Sequence, residues 1–240
     1  GAKNRARLRE GYSRQSPGAQ PVKTSEAIKQ RISTRAFTAQ TVPETDVRDL
    51  LDIARFAPSG GNLQPWKVIA VAGAARDAVV ELAMTNLPGN AGERFVYPPQ
   101  LWEPYRSRRY KLGEDMYALL GIPRENKAAR LQHLARNFSF FGAPVGLFFI
   151  IDTRMGYGQW AHLGMFMQSL ALAACERGLA SCMQEAWAMM RAPLHAHFGL
   201  PENDMIYCGM ALGYSDESAP VNKLRSEREP VDGFARFFGF

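Results

Sequence analysis

Between residues 41 and 57 apolar side chains recur at helical spacing. Val47, Leu50, Leu51, Ile53 and Ala54 fall on one side of a 3.6-residue repeat, which predicts an amphipathic helix. Residues 24–32 open on good N-cap residues and carry Ala27 and Ile28, so a shorter helix is expected there. Three runs are short and almost wholly apolar: KVIAVAG (67–73), APVGLFFII (143–151) and DMIYCGMALG (204–213). Runs of this length, rich in Val, Ile and Phe, predict buried strands. ASCMQEAW (180–187) is read as extended as well. Residues 160–177 form the most apolar helical stretch, and Gly178 follows in a C-cap role. Gly164, Ala171, Ala173 and Ala174 allow close backbone approach there, which places this helix at the centre of the fold or at a subunit interface. Further helices are expected over 74–85, from Arg106 to before Gly121-Ile122-Pro123, over 124–138 and over 192–198. The order α, α, β, α, insert, β, α, β, α, β is an α+β fold with one mixed sheet.

The pattern breaks in four places. APSGGNLQPW (57–66) holds Pro58, Gly60, Gly61 and Pro65, so neither helix nor strand can run through it. Its glycines admit close approach of a flat ligand, and Ser59, Asn62 and Gln64 offer hydrogen-bonding groups. The plainer reading is a loop that turns a helix into a strand. Residues 87–109 are irregular yet carry Phe95, Tyr97, Trp102 and Tyr105, which suits a segment covering a pocket. Residues 1–22 are polar and arginine-rich and cannot bury enough apolar area to fold alone, so they are read as an arm. The 222–240 tail ends on Phe234, Phe237, Phe238 and Phe240, rings that need a surface to dock on. The expected organisation is a basic arm over 1–22 and one domain over 23–240, with an aromatic insert near 87–110.

Composition removes several classes of function. No apolar run reaches the roughly 20 residues of a membrane span, and no apolar core follows the basic N-terminus as it would in a signal peptide. A soluble, cytoplasmic protein with no membrane partner is expected. Cys175, Cys182 and Cys208 are odd in number and form no CxxC pair, and His195 and His197 lack further ligands at metal-site spacing. Neither a disulfide framework nor a metal is expected. The net charge of +6 suits anionic small molecules as well as nucleic acid. Only Tyr12 interleaves with the arginines of the arm, so no nucleic-acid partner is expected.

Arg31, Ser33 and Arg35 stand at i, i+2, i+4 near a predicted helix end. Two forked guanidiniums and a hydroxyl so placed can clamp a phosphate, and the bland alternative is a solvated charged face. Taken together and in this order, RISTRAF, APSGGNLQPW, GLASCMQEAW and KLR resemble the FMN-dependent nitroreductase family, from Thr24 to Arg225. The resemblance implies a nitroreductase-like α+β fold, a central sheet flanked by helices, an intertwined homodimer, and FMN sites at its interface. It also implies electrons drawn from NADH or NADPH and passed by a ping-pong mechanism to a small aromatic acceptor, a nitroaromatic or a quinone. By resemblance, Arg31, Ser33 and Arg225 are phosphate ligands, and Arg35 lies near the ribityl chain or the pyrimidine edge. Lys223 serves either end. Pro58, Ser59, Gly60 and Asn62 reach the flavin from the other subunit, and Glu185 and Ala186 occupy the position where a backbone N–H meets flavin N5. The family commonly has Pro-x-Glu-Gly there, whereas this chain has Met183-Gln184-Glu185-Ala186. FMN carries the hydride, so no side chain is nominated as catalytic. In the insert, Trp102 and Tyr105 are read as acceptor contacts. Reductive dehalogenation or a biosynthetic dehydrogenation on the same fold is the alternative reaction, and a flavin-binding sensor without turnover is the reading from another class.

Overall fold

Four strands pair into one sheet in the computed structural model, which describes residues 23–89 and 96–240. They are β1 (Lys67–Ala72), β2 (Val145–Asp152), β3 (Ala180–Gln184) and β4 (Asp204–Gly213), and they lie in the order β1-β2-β4-β3. The helices are α1 (Thr24–Gln30), α2 (Glu44–Ala54), α3 (Gly73–Thr85), α4 (Tyr105–Leu119), α5 (Lys127–Ala135), α6 (Tyr157–Glu176) and α7 (Arg191–Phe198). The arm over 1–22 and Phe95 of the insert lie outside the described residues.

Strand β2 is apolar because both of its faces are covered. Leu147, Phe149 and Ile151 turn to one core with Leu50 and Ala54 of α2 and Leu163, Phe166 and Leu170 of α6. Phe148 and Ile150 turn to the other, with Val79 of α3, Leu194 of α7 and the rings of Phe138, Phe140 and Trp187. This is the period-2 alternation of a central strand.

Two expectations need correction. Every strand pair is antiparallel, whereas a mixed sheet was expected; among the described residues the one parallel pairing is the bridge between Ser33 and Ser181. The excursion α3–α5 and helix α7 return the chain to the sheet at the end it left, so β2 runs against β1 and β4 against β3. Helix α6 instead carries the chain back to the end where β2 began, so β2 and β3 run the same way on either side of β4. Strand β1 also was expected to be buried, yet it is an edge strand with only Val71 buried. Its apolar sequence meets β2 on one side, and no strand pairs with its outer edge among the described residues.

The helix expected to continue to residue 138 stops at Ala135 and tightens into the 3-10 turn Arg136–Gly142. There Phe140 and Phe141 take φ of 52° and 53°. Left-handed backbone is costly for an aromatic residue. The strain is offset by packing, since the Phe140 ring fills the space over Gly146, where a Cβ would lie 2.3 Å from Cζ. This face of the sheet is therefore closed by aromatic rings on backbone.

Candidate functional site

Helix α1 ends at Arg31, whose amide still bonds Ala27 O at 3.0 Å. The chain then runs extended along the edge of the sheet. Thr34 N donates to Ser181 O at 3.0 Å, and Thr38 N donates to Tyr214 O at 2.9 Å. Extended backbone alternates its side chains, so Thr34 and Ala36 are buried while Arg31, Ser33 and Arg35 share the opposite, half-buried side. That grouping is the one the i, i+2, i+4 spacing implied.

Asn222, which sequence reasoning did not single out, joins this segment to the C-terminal cations. It is buried; its Oδ1 accepts from Arg35 N at 2.8 Å and its Nδ2 donates to Ala36 O at 2.8 Å and Asp216 O at 2.9 Å. Arg225 Nη1 donates to Asn222 O at 2.8 Å. The sequence signal for Asn222 was only its place beside Lys223 and Arg225. Among the described residues no carboxylate pairs with Arg31, Arg35, Lys223 or Arg225. Arg31 Nε is buried without a hydrogen-bond partner. Beneath the cations lies the Cys182 thiol of β3, pushed up by burial and drawn back by Arg35, a hydrogen bond from Ser33, and Arg31. Cations gathered without a counter-ion, one of them with an orphaned buried donor, form a seat for an anion. A phosphate fits it.

From Ser181 the strand β3 leads to Glu185, about 13 Å further at the usual rise per residue. Glu185 and Ala186 open the 3-10 turn Glu185–Met190, where the extended stretch was expected to continue to Trp187. Desolvation raises the Glu185 carboxyl above its ordinary value, and among the described residues no cation pairs with it. Its charge acts on Tyr207, whose ring meets Trp160 of α6 edge-to-face at 5.7 Å. The anion seat and the 185–186 backbone thus occupy the two ends of β3.

The loop over 57–66 is well ordered by its own bonds. Ser59 Oγ accepts from Gln64 N at 3.0 Å, Ser59 O accepts from Asn62 N at 2.9 Å, and Gly61 and Asn62 take φ of 60° and 55°. Pro58, Gly60 and Asn62 are exposed. Gly60 rests on His162 of α6, where a Cβ would lie 3.2 Å from Cε1. Arg31, by contrast, acts on Cys175 near the other end of the same helix. His162 and Cys175 are about 20 Å apart at the helical rise. A single chain therefore does not bring the loop and the arginines together.

The described parts of the insert make contacts at two places. Gly89 packs on the end of the 3-10 turn, with a Cβ there only 2.8 Å from Met190 Cε. Helix α4 packs against the turn Pro220–Lys223, and pairs Arg108 with Glu229 and Lys111 with Glu227. Trp102 and Tyr105 meet edge-to-face at 5.4 Å and remain 60% and 48% exposed. Tyr97 lies under the Arg109 guanidinium at 4.2 Å.

An antiparallel sheet between two helical layers, with arginines that pair with no carboxylate among the described residues at one end of its edge strand, defines an α+β fold. A family model described as the nitroreductase family matches residues 28–214, and the chain belongs to that family. It is 37% identical to a 4-nitrobenzoate reductase of Pseudomonas putida, covering 89% of this chain and 94% of that protein. It is 36% identical to a nitrobenzene nitroreductase of Ectopseudomonas oleovorans, over 88% and 94% of the two chains. Among solved structures, an FMN and NADPH-dependent nitroreductase from Sphigopyxis sp. strain HMH superposes with a TM-score of 0.87 at 40% identity, covering 91% of this chain and all of the other. An FMN-dependent nitroreductase from Mycobacterium smegmatis, in complex with NADPH, superposes with a TM-score of 0.82 at 32% identity, over 90% and 97%.

Proposed function

We propose that this chain is an FMN-dependent nitroreductase that takes electrons from NAD(P)H and passes them to small nitroaromatic or quinone acceptors. The observation that carries the reading is the set Arg31, Arg35 and Arg225, the first two acting together on Cys182 and the third bonded to Asn222 O beside the Arg35 amide, with no carboxylate among the described residues to neutralise them. Arg31, Ser33 and Arg225 hold the FMN phosphate, each guanidinium as a forked donor. Arg35 and Lys223 set positive charge beside the flavin, where it favours the reduced, anionic form. Ala186 presents a main-chain N–H at the far end of β3, so its side chain has no chemical task. Bound FMN supplies the hydride chemistry, and the chain supplies orientation and electrostatics.

Pro58, Ser59, Gly60 and Asn62 complete the site of a second copy, since their own chain keeps them remote from the arginines. The working form is a homodimer. An uncovered stripe on α6 supports it: Tyr157 is 98% and Met165 45% exposed, with Ala161 and Gly164 exposed between them. The phenylalanines at 234, 237, 238 and 240 are likewise uncovered in one chain. The insert, anchored at Met190 and at the Pro220–Lys223 turn, covers the acceptor side, with Trp102 and Tyr105 facing the acceptor. The compartment is the cytoplasm, where NAD(P)H is regenerated and the three free cysteines stay reduced.

The test is to denature the purified protein and record the spectrum and mass of what it releases, then follow NAD(P)H oxidation with nitroarenes and with halophenols. Released FMN and turnover of nitroarenes are expected. A protein that binds no flavin when supplied with FMN overturns the reading, and turnover confined to halophenols replaces the reaction.

A further inference from the structure

The backbone at Glu185–Ala186 carries no glycine and passes directly from a strand end into a tight turn, so its conformation must be held by its neighbours. We infer that Gln184 is the positioning residue for the Ala186 amide, clamping the end of β3 to the Arg136–Gly142 turn on one side and to Trp187 on the other. The inference rests on the function proposed above for that amide.

Gln184 is 1% exposed, and both ends of its side-chain amide are used. Nε2 donates to Asn137 O at 2.8 Å and lies 3.5 Å from Asn137 Oδ1. Oε1 accepts from Trp187 Nε1 at 3.3 Å. An amide buried this deeply is tolerated only when hydrogen-bonded, and a satisfied polar group in a core selects one conformation. The second anchor is as firm. Trp187 is fully buried and lies against Gly209, the residue opposite Gln184 in the β3–β4 register. A Cβ on Gly209 would come 2.2 Å from Trp187 Cδ1, so the indole sits directly on backbone. Phe140 packs on it at 4.7 Å and 31°, and Phe138 and Phe148 meet it edge-on at 5.3 and 5.1 Å. Only Glu185 and Ala186 lie between these two buried, hydrogen-bonded residues. A bridge of two residues fixed at both ends has little freedom, and the Gln184–Trp187 bond closes it into a ring.

The clamp also accounts for alanine at position 186. Where the family commonly has glycine, this chain reaches the needed backbone geometry through anchors on either side. Gln184 touches no ligand in this role and acts only through the backbone it holds.

The experiment uses two variants of the FMN-loaded protein. Gln184→Met removes every clamp bond at similar volume, and Trp187→Phe removes one donor while keeping an aromatic ring. Three readouts are taken: peptide-level hydrogen exchange over 184–190, the visible spectrum and affinity of bound flavin, and the rate of flavin reduction by NAD(P)H per bound flavin. Both variants are expected to exchange faster over 184–190 than elsewhere, to shift the flavin absorption, and to slow reduction by about tenfold or more, because small misplacements at a reacting centre are costly. Flavin affinity should hold, since the phosphate is anchored at the other end of β3. Exchange that rises evenly across the chain, with an unchanged spectrum and reduction rate, overturns the inference and leaves Gln184 a core residue. Should Gln184→Met fail to fold, Trp187→Phe decides by the same readouts. If the unaltered protein binds no FMN, the proposed function falls, and the exchange arm alone still decides whether Gln184 holds the turn.

Discussion

At the scale of single residues, Arg31 and Arg225 have no carboxylate partner among the described residues, and Arg31 also buries its Nε without a hydrogen-bond partner. Arg48, Arg55 and Arg106 all pair with an acid one turn away. Replacing Arg31 or Arg225 by alanine should weaken FMN binding by about 1.5–3 kcal/mol, the worth of a charge-assisted hydrogen bond, or roughly ten- to a hundredfold in Kd. The fold should survive, because the Arg225 guanidinium bonds only the nearby carbonyls of Asn222 and Leu224, and Arg31 Nε has no hydrogen bond to lose. Flavin fluorescence titration checks the first statement and thermal melting the second; unchanged affinity in both variants moves the phosphate elsewhere. His133 offers a separate test. It is 6% exposed, and burial first, then the charges of Arg136 and Arg35, lower its pKa to about 4. The unfolded chain takes up a proton near pH 6.5, while the folded chain resists until about pH 4. Stability is therefore full above that window and falls as pH drops through it, by up to about 3 kcal/mol. His133→Leu should flatten the slope of stability between pH 6.5 and 4.5 in urea titrations, at little cost at pH 7.5, since His133 Nε2 has no partner to lose. An unchanged slope assigns the acid sensitivity to other groups.

At the scale of elements, the insert is the one most open to experiment. Its entry leans on Met189 and Met190, and its helix α4 leans on the Pro220–Lys223 turn. Trp102 and Tyr105 pack on each other and keep much of their ring surface free. Trp102→Leu and Tyr105→Leu, followed by stopped flow, should lower kcat/KM for the acceptor half-reaction and leave flavin reduction by the preferred nicotinamide less affected. Equal losses in both half-reactions, tracking a fall in Tm, would make the rings packing elements. The elements themselves were largely legible. The run DMIYCGMALG is β4 end to end, and the apolar stretch over 160–177 is the body of α6. Edge position was not legible, because the apolar sequence of β1 says only that it is covered and is silent on which chain covers it.

At the scale of the whole molecule, the exposed stripe of α6, the aromatic tail and the distance between the 57–66 loop and the arginines all support a second copy. Obligate interfaces commonly bury more than about 2,000 Å². Met165→Glu places a charge in the middle of the stripe and should shift the protein toward monomer in sedimentation, with loss of bound flavin in the same fractions. A wild-type monomer at micromolar concentration that still holds FMN would end the dimer reading.

Local properties were within reach of the sequence alone. Hydrophobic spacing set the helices and strands, since burial demands it, and proline and glycine marked the 57–66 loop. Arg31, Ser33 and Arg35 were legible as a group because period two is itself a local rule. The tertiary structure alone decided what depends on contacts across the chain. Asn222 lies 187 residues from Arg35, and Gln184 lies 47 from Asn137. No spacing rule connects positions so far apart. The antiparallel sheet, the aromatic layer over Gly146 and Gly209, and the clamp beside Ala186 arise only when β2, β3 and β4 are side by side. There, missing side chains on β2 and β4 make room for rings from the two 3-10 turns beside them.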